Sequence, residues 1–188
     1  RFEDYTGRDE PTNGYAGAKH AWVDTIEFLP VPDQAARVAG LQAGDYEIAL
    51  EVSNDQYELL SGAPGIVAEI RQPSFVDVFY LNWRSEIMGN LAMREAFRAA
   101  LNHEEILTAS RGSSDFFRLD PGWVMQELPW HTTAGEELYN VNDPELAKQK
   151  LEEAGYDGTP LRFLSTQEYP YFYSASVIAQ QQLEAVGF

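Results

Sequence analysis

The sequence predicts an α/β fold, and three observations carry that prediction. Two strand-like runs flank a capped helix early in the chain. The most strand-prone stretch, Phe75-Val76-Asp77-Val78-Phe79-Tyr80-Leu81, precedes a strongly amphipathic helix. From residue 25 onward, period-two and period-3.6 patterns alternate.

Residues 1–24 are polar and turn-rich (Gly7, Pro11, Asn13-Gly14, Gly17) and read as an irregular loop. Thr25-Ile26-Glu27-Phe28-Leu29 alternates as a half-buried strand. Asp33, after Pro32, can accept from the free first-turn amides of a helix carrying Ala35, Val38, Ala39 and Leu41, which Gly44 closes. Residues 46–52 return as a strand, giving a strand–helix–strand order suited to a right-handed crossover. Asn54 caps a short helix with Tyr57 and Leu60, broken by the glycines at 62 and 65. Strand-like runs follow at 66–71 and 75–82, split by Pro73, and the apolar content of the second implies burial on both faces.

Asn90 starts a helix in which Met93, Ala96, Phe97, Ala100 and Leu101 form one apolar stripe. Asn102 with Glu105 makes a capping-box-like restart into Ile106 and Leu107. Regular patterning then stops for about thirty residues, 110–142, a length that in compact domains is often functional. Asp143-Pro144-Glu145 opens a helix along Ala147, Leu151 and Ala154 that Gly155 ends. Residues 160–165 read as a strand, and Pro170 opens the last helix, through Val177, Ile178 and Leu183.

The 188 residues are 44% apolar and 13% aromatic, with formal charge −17. The rings exclude a disordered chain, and aperiodic Gly and Pro without Cys exclude collagen-like and disulfide-scaffold classes. The acidity argues against nucleic acid as a partner, because each phosphate contact needs a cation. It suits a self-repelling soluble surface, or else a surface that attracts cationic ligands. No run reaches the ~18 apolar residues of a membrane span. An opening Arg1 and a close on Leu183-Glu184-Ala185-Val186-Gly187-Phe188 read as a piece of a longer protein.

Chemistry-bearing motifs are missing: no phosphate loop, dinucleotide fingerprint, zinc-protease helix or nucleophile elbow. His20, His103 and His131 stand apart and suit surface or capping roles. Glu136-Glu137 and Glu152-Glu153 diverge by about 100° on a helix, so neither pair flanks one bond. No catalytic residue, metal ligand or cofactor is therefore assigned. Candidate ligand-binding residues are Arg111, Phe116, Trp123 and Trp130 on the long loop, and Trp83 and Arg84 where the strand-like run emerges. Rings on an irregular segment can stack on a ligand while arginines fix its polar ends. Each also has a packing alternative, since a long loop needs its own small core.

Three segments resemble the extracytoplasmic solute-binding proteins of peptide-type (family 5) ABC importers. The first runs from Asp24-x-Ile26-x-Phe28 through Pro32-Asp33-x-Ala35-x-Arg37 and Leu41 to Gly44-Asp45-Tyr46-x-Ile48. The second is Leu81-Asn82-Trp83 with Met93-Arg94-Glu95-Ala96-Phe97-Arg98-x-Ala100-Leu101-Asn102-His103-Glu104-Glu105-Ile106. Here the family more often has Val-Arg, Ala-Leu, Ala-Ile and Asp-Arg. The third is Tyr139-Asn140-x-Asn142-Asp143-Pro144-Glu145-x-Ala147-Lys148, on to Leu151-x-x-Ala154-Gly155-Tyr156, with Ala179-Gln180-Gln181-Gln182-Leu183-Glu184-x-x-Gly187 after it.

The resemblance implies a fragment of a two-lobed periplasmic binding protein-like II fold, with residues 1–70 in lobe I and 71–188 in lobe II. It also implies a periplasmic or other extracytoplasmic location, a signal peptide in the precursor and no enzymatic activity. The implied partners are a small solute, in the first place a peptide, and the permease subunits of an ABC transporter. The family's acidic anchor for a peptide ammonium falls beyond Phe188. Two other functions fit the residues less well: a protein-interaction module using the aromatic 110–142 loop, and a peptide hydrolase, which would need an acid/base pair or a metal. A severed portion of such a fold also invites self-association.

Overall fold

Helices joined by long irregular segments build the computed structural model, which describes residues 6–12 and 16–188. It divides into two compact units, Arg1–Glu51 and Val52–Phe188.

The first unit is organised around α1 (Gln34–Ala43). The Asp33 carboxylate accepts from the Ala36 amide at 2.7 Å, and Gly44 ends the helix at φ +81°. Tyr46 then folds its ring onto Gly40, where a Cβ would come within 2.2 Å of Cε2, so the chain's return depends on a glycine there. Ahead of the helix, Thr12 Oγ1 donates to the Ala18 carbonyl at 2.8 Å. The expected Asn13-Gly14 turn lies outside the described residues.

The second unit carries α2 (Tyr57–Ser61), preceded by a 3-10 turn at Asn54–Gln56, then α3 (Glu86–Gly89) and α4 (Leu91–Ala100). After these come α5 (His103–Arg111), α6 (Pro144–Ala154) and α7 (Pro170–Val186), with a 3-10 turn at Glu136–Leu138 before α6. Short polar side chains set the starts. Asn90 Oδ1 accepts from Ala92, Asn102 Oδ1 from Glu105 and Asp143 Oδ1 from Leu146, at 2.9, 3.1 and 2.9 Å. Gly155 and Gly187 close α6 and α7 with positive φ.

The core lies among α4, α5, α6 and α7. It gathers Met93, Phe97, Leu101, Ile106, Leu151, Leu183 and Val186, each large side chain stabilising the fold by about 1.5–3 kcal/mol on burial. Ala96, Ala99, Ala147 and Ala179 are fully buried, so these helices meet through methyl groups rather than long spacers. Lys150 ties the same faces at their rim, its Nζ 2.8 Å from Glu95 and 2.9 Å from Glu153.

Three expectations are corrected. Among the described residues no β-strand forms, so the strand half of the α/β pattern is absent. The runs at 25–29, 46–52, 66–71, 75–82 and 160–165 carry the side chains of strands, but a strand exists only when a neighbour exchanges backbone hydrogen bonds with it. Burial of 75–81 on both faces also fails. Phe79 sits edge-on to Phe97 and Phe163, with centroids 5.9 and 5.6 Å away, while Phe75 and Tyr80 are largely exposed. Lastly, the capping box at Asn102 is only half made. Glu105 Oε2 accepts from Gln182 Nε2 at 2.8 Å, and the Asn102 amide donates to Gln182 Oε1 at 3.0 Å, so α7 supplies what the box would have closed locally.

Candidate functional site

Arg111, the last residue of α5, is where the second unit concentrates its polar and aromatic groups. The Arg111 Nε and Nη2 donate to Asp77 Oδ2 and Oδ1 at 3.2 and 2.5 Å. Its guanidinium carbon lies 4.2 Å from the Tyr171 ring centroid and 5.3 Å from that of Phe75. Its carbonyl accepts from Asn54 Nδ2 at 2.8 Å. A planar cation thus lies against two rings with a carboxylate along one edge, an arrangement suited to Arg because its fork is rigid. The Arg111 side chain is 13% exposed and that of Asp77 38%, so the carboxylate is the wetter partner. Tyr171 opens α7 beside Tyr169 and Phe172, with Tyr171 and Phe172 centroids 4.5 Å apart.

The other expected residues take different places. Phe116 is half-buried and meets Tyr57 edge-on at 5.6 Å, which anchors the start of the long loop to α2. Trp83 keeps separate company: the Arg94 guanidinium lies 4.6 Å from its ring, while Arg94 Nη1 donates to the carbonyls of Met88 and Gly89. Arg84 is exposed in the turn beside it, its amide donating to Asn82 Oδ1. Trp123 and Trp130 stand out on the loop at 69% and 75% exposure. The structure therefore brings Arg111 and Phe116 to neighbouring positions around Asn54 and Tyr57, and leaves the tryptophans facing solvent.

Sequence reasoning missed the partners. Asp77 and Phe75 were read only as strand residues, although their i, i+2 spacing puts them on one side of an extended run. His131 is not a plain surface residue, because its Nε2 lies 2.9 Å from Asp120 Oδ1. His103 is neither surface nor a capping side chain. Its ring packs 4.8 Å from Tyr139, and its amide donates to Asn140 Oδ1.

Electrostatics follow these placements. Burial pushes the His103 imidazole below its ordinary value and the Tyr139 phenol above its own. For Asp120 burial raises the carboxyl, but His131, the Gly122 amide and Gln126 together outweigh it and leave the value lowered. The Arg118 fork holds Glu127 at about 2. No group of three or more His, Cys, Asp or Glu converges among the described residues. What the arrangement offers is recognition: a ring-bounded arginine, a solvent-facing carboxylate and displayed indoles.

The whole of residues 1–188 matches the family model of the bacterial extracellular solute-binding proteins, family 5 (middle region). A probable peptide ABC transporter periplasmic-binding protein, y4tO of Sinorhizobium fredii, is 26% identical over 196 aligned positions, covering 100% of this chain and 36% of that protein. The glutathione-binding protein GsiB of Salmonella choleraesuis is 25% identical, with 88% of this chain and 31% of that protein covered. GsiB of Pectobacterium atrosepticum is also 25% identical, over 95% of this chain and 34% of its own length. The chain spans about a third of the length of these curated relatives.

Proposed function

The chain belongs to the bacterial extracellular solute-binding proteins, family 5, and from that membership we propose that it forms part of the binding wall of an ABC-importer receptor. The receptor captures a peptide or related small solute outside the cytoplasm, leaves it chemically unchanged and delivers it to a membrane permease. Residues 1–70 belong to lobe I and 71–188 to lobe II of a two-lobed α/β periplasmic binding protein-like II fold, exported by a signal peptide.

The observation that carries the reading is Arg111, lying against the rings of Phe75 and Tyr171 with Asp77 on its edge. Such a site fixes a polar group beside an apolar wall without any group tuned to react. The names of the relatives, one for peptides and the others for glutathione, support a peptide-class solute.

Calorimetry on the full-length protein, stripped of co-purifying ligand and titrated with a tripeptide pool, tests the proposal. Saturable binding is expected, weakened at least about tenfold by Trp123→Ala or Trp130→Ala, a loss of about 1.4 kcal/mol each. Residues 1–188 alone are expected to bind far more weakly than the full-length protein, because a cleft with one wall buries little of its ligand. Equal affinities would contradict the reading. Stable capture of a protein partner with no response to peptides would replace it by the interaction-module reading, which the exposed indoles also suit.

A further inference from the structure

The Arg111–Asp77 pair uses only part of its own bonding capacity. A guanidinium carries five N–H donors, and Asp77 takes one from Nε and one from Nη2, at 3.2 and 2.5 Å. The Nη1 hydrogens and the second Nη2 hydrogen meet no acceptor among the described residues. Neither side chain has a polar atom that is both buried and unpartnered, so these donors reach water. Each Asp77 oxygen accepts one bond from Arg111, and a carboxylate offers about four lone-pair sites, so about half of its accepting capacity stays open. Nη2 joins the two open sides. One of its hydrogens goes to Asp77 Oδ1, and the other lies along the Nη1 edge because the guanidinium is planar. The Tyr171 and Phe75 rings lie 4.2 and 5.3 Å from the guanidinium carbon, and the Arg111 carbonyl accepts from Asn54 Nδ2 at 2.8 Å. Backbone and side chain are therefore both held before any ligand arrives, which lowers the ordering cost of binding.

We propose that this pair is a subsite for the head group of a free α-amino acid, whose ammonium and carboxylate share one carbon. The carboxylate takes the Nη1/Nη2 edge of Arg111, and the ammonium takes the open side of Asp77. The inference deepens the solute-binding reading and rests on it. Charge selects first. The two charges of the pair cancel, so a group of one sign is attracted by one side chain and repelled by the other, while a group of both signs matches both. Spacing selects next. Asp77 and Arg111 are in direct contact, so the charges that match them must also be neighbours. In a head group a single carbon separates them. In an extended tripeptide the terminal ammonium and carboxylate stand about 10 Å apart and cannot serve both side chains at once. A γ-linked glutamyl residue supplies such a head group at the end of a peptide-like tail, and its methylenes can lie on the Phe75 ring, which is 61% exposed. The bonds formed are charge-assisted and, on the arginine edge, two-pronged, which gives them strength and direction.

The test is calorimetry of the full-length protein, stripped of co-purifying ligand, against γ-glutamylalanine and α-glutamylalanine. These isomers share composition and net charge, and only the γ-isomer keeps ammonium and carboxylate on one carbon. The γ-isomer is expected to bind at least about tenfold tighter, as the loss of one charge-assisted bond implies. N-acetylation of the γ-isomer should erase that advantage in the wild-type protein, and Asp77→Asn should reduce it to about twofold or less. Isomers that bind equally, or an α-isomer that binds tighter, overturn the proposal, and so does an advantage that survives N-acetylation or Asp77→Asn. A tripeptide pool titrated in parallel separates the two readings. If the pool binds and the γ-isomer has no advantage, the head-group subsite falls and solute capture stands. If neither the pool nor either isomer binds, both fall.

Discussion

Leu101 ends α4, turns the chain toward α5 and is 1% exposed in the core that also holds Phe97, Ile106 and Leu183. Leu101→Ala deletes buried carbons at a place with little room to collapse, because fully buried alanines already hold the helices close together. A Leu→Ala change of this kind costs about 2–5 kcal/mol, and the tight surroundings put it near 3.5. Leu91, at the other end of the same helix, is 60% exposed, and Leu91→Ala is expected to stay within about 0.5 kcal/mol. Urea unfolding of the two variants, followed by far-UV circular dichroism, separates them. With a slope of about 3 kcal/mol/M, the midpoint falls by about 1 M for the first and by under about 0.2 M for the second. Equal shifts would refute the reasoning, since residue type would then outweigh burial.

Two pH-dependent outcomes follow from the long loop and its root. Burial lowers the folded-state pKa of His103 from 6.5, so the unfolded chain binds protons first. The stability this residue supports is full above that pH and is lost as pH falls through it, and His103→Gln should flatten that part of a midpoint-versus-pH curve. Glu127, held at about 2 against an ordinary 4.5, gives the same sign in a more acidic window. Its contribution is present above 4.5 and fades as pH falls toward about 2, and Glu127→Gln should remove that limb while leaving the His103 limb in place.

How much was legible in advance depended on the range over which each signal acts. The caps at Asp33, Asn90, Asn102 and Asp143 and the stops at Gly44, Gly155 and Gly187 act within one turn, and the helices begin and end at them. The short α3 went unseen. Its cap, Ser85, was present in the sequence, but four residues carry no periodicity to detect. Strand-prone composition was equally visible at 75–81, yet a ladder depends on a partner that no local pattern specifies. The site divides along the same line. Arg111 stood out as a cation at the mouth of an aromatic loop, while Asp77, 34 positions earlier, and Tyr171 on α7 join it only through tertiary folding. Asp120 and His131 lie 11 positions apart across a segment with no period, so nothing in their spacing announced a pair.

The alanines at 96, 99, 147 and 179 have a mechanical consequence. They let α4 lie close along α6, and with α7 packed chiefly on α5 the four helices close into one core. Residues 112–143 are tied to α4 and α5 at their far end, where the Asp143 amide donates to the Ala99 carbonyl and Asn140 Oδ1 accepts from the His103 amide. Phe116 against Tyr57 holds the near end, so the indoles at 123 and 130 hang on a strap that is fastened on both sides of them.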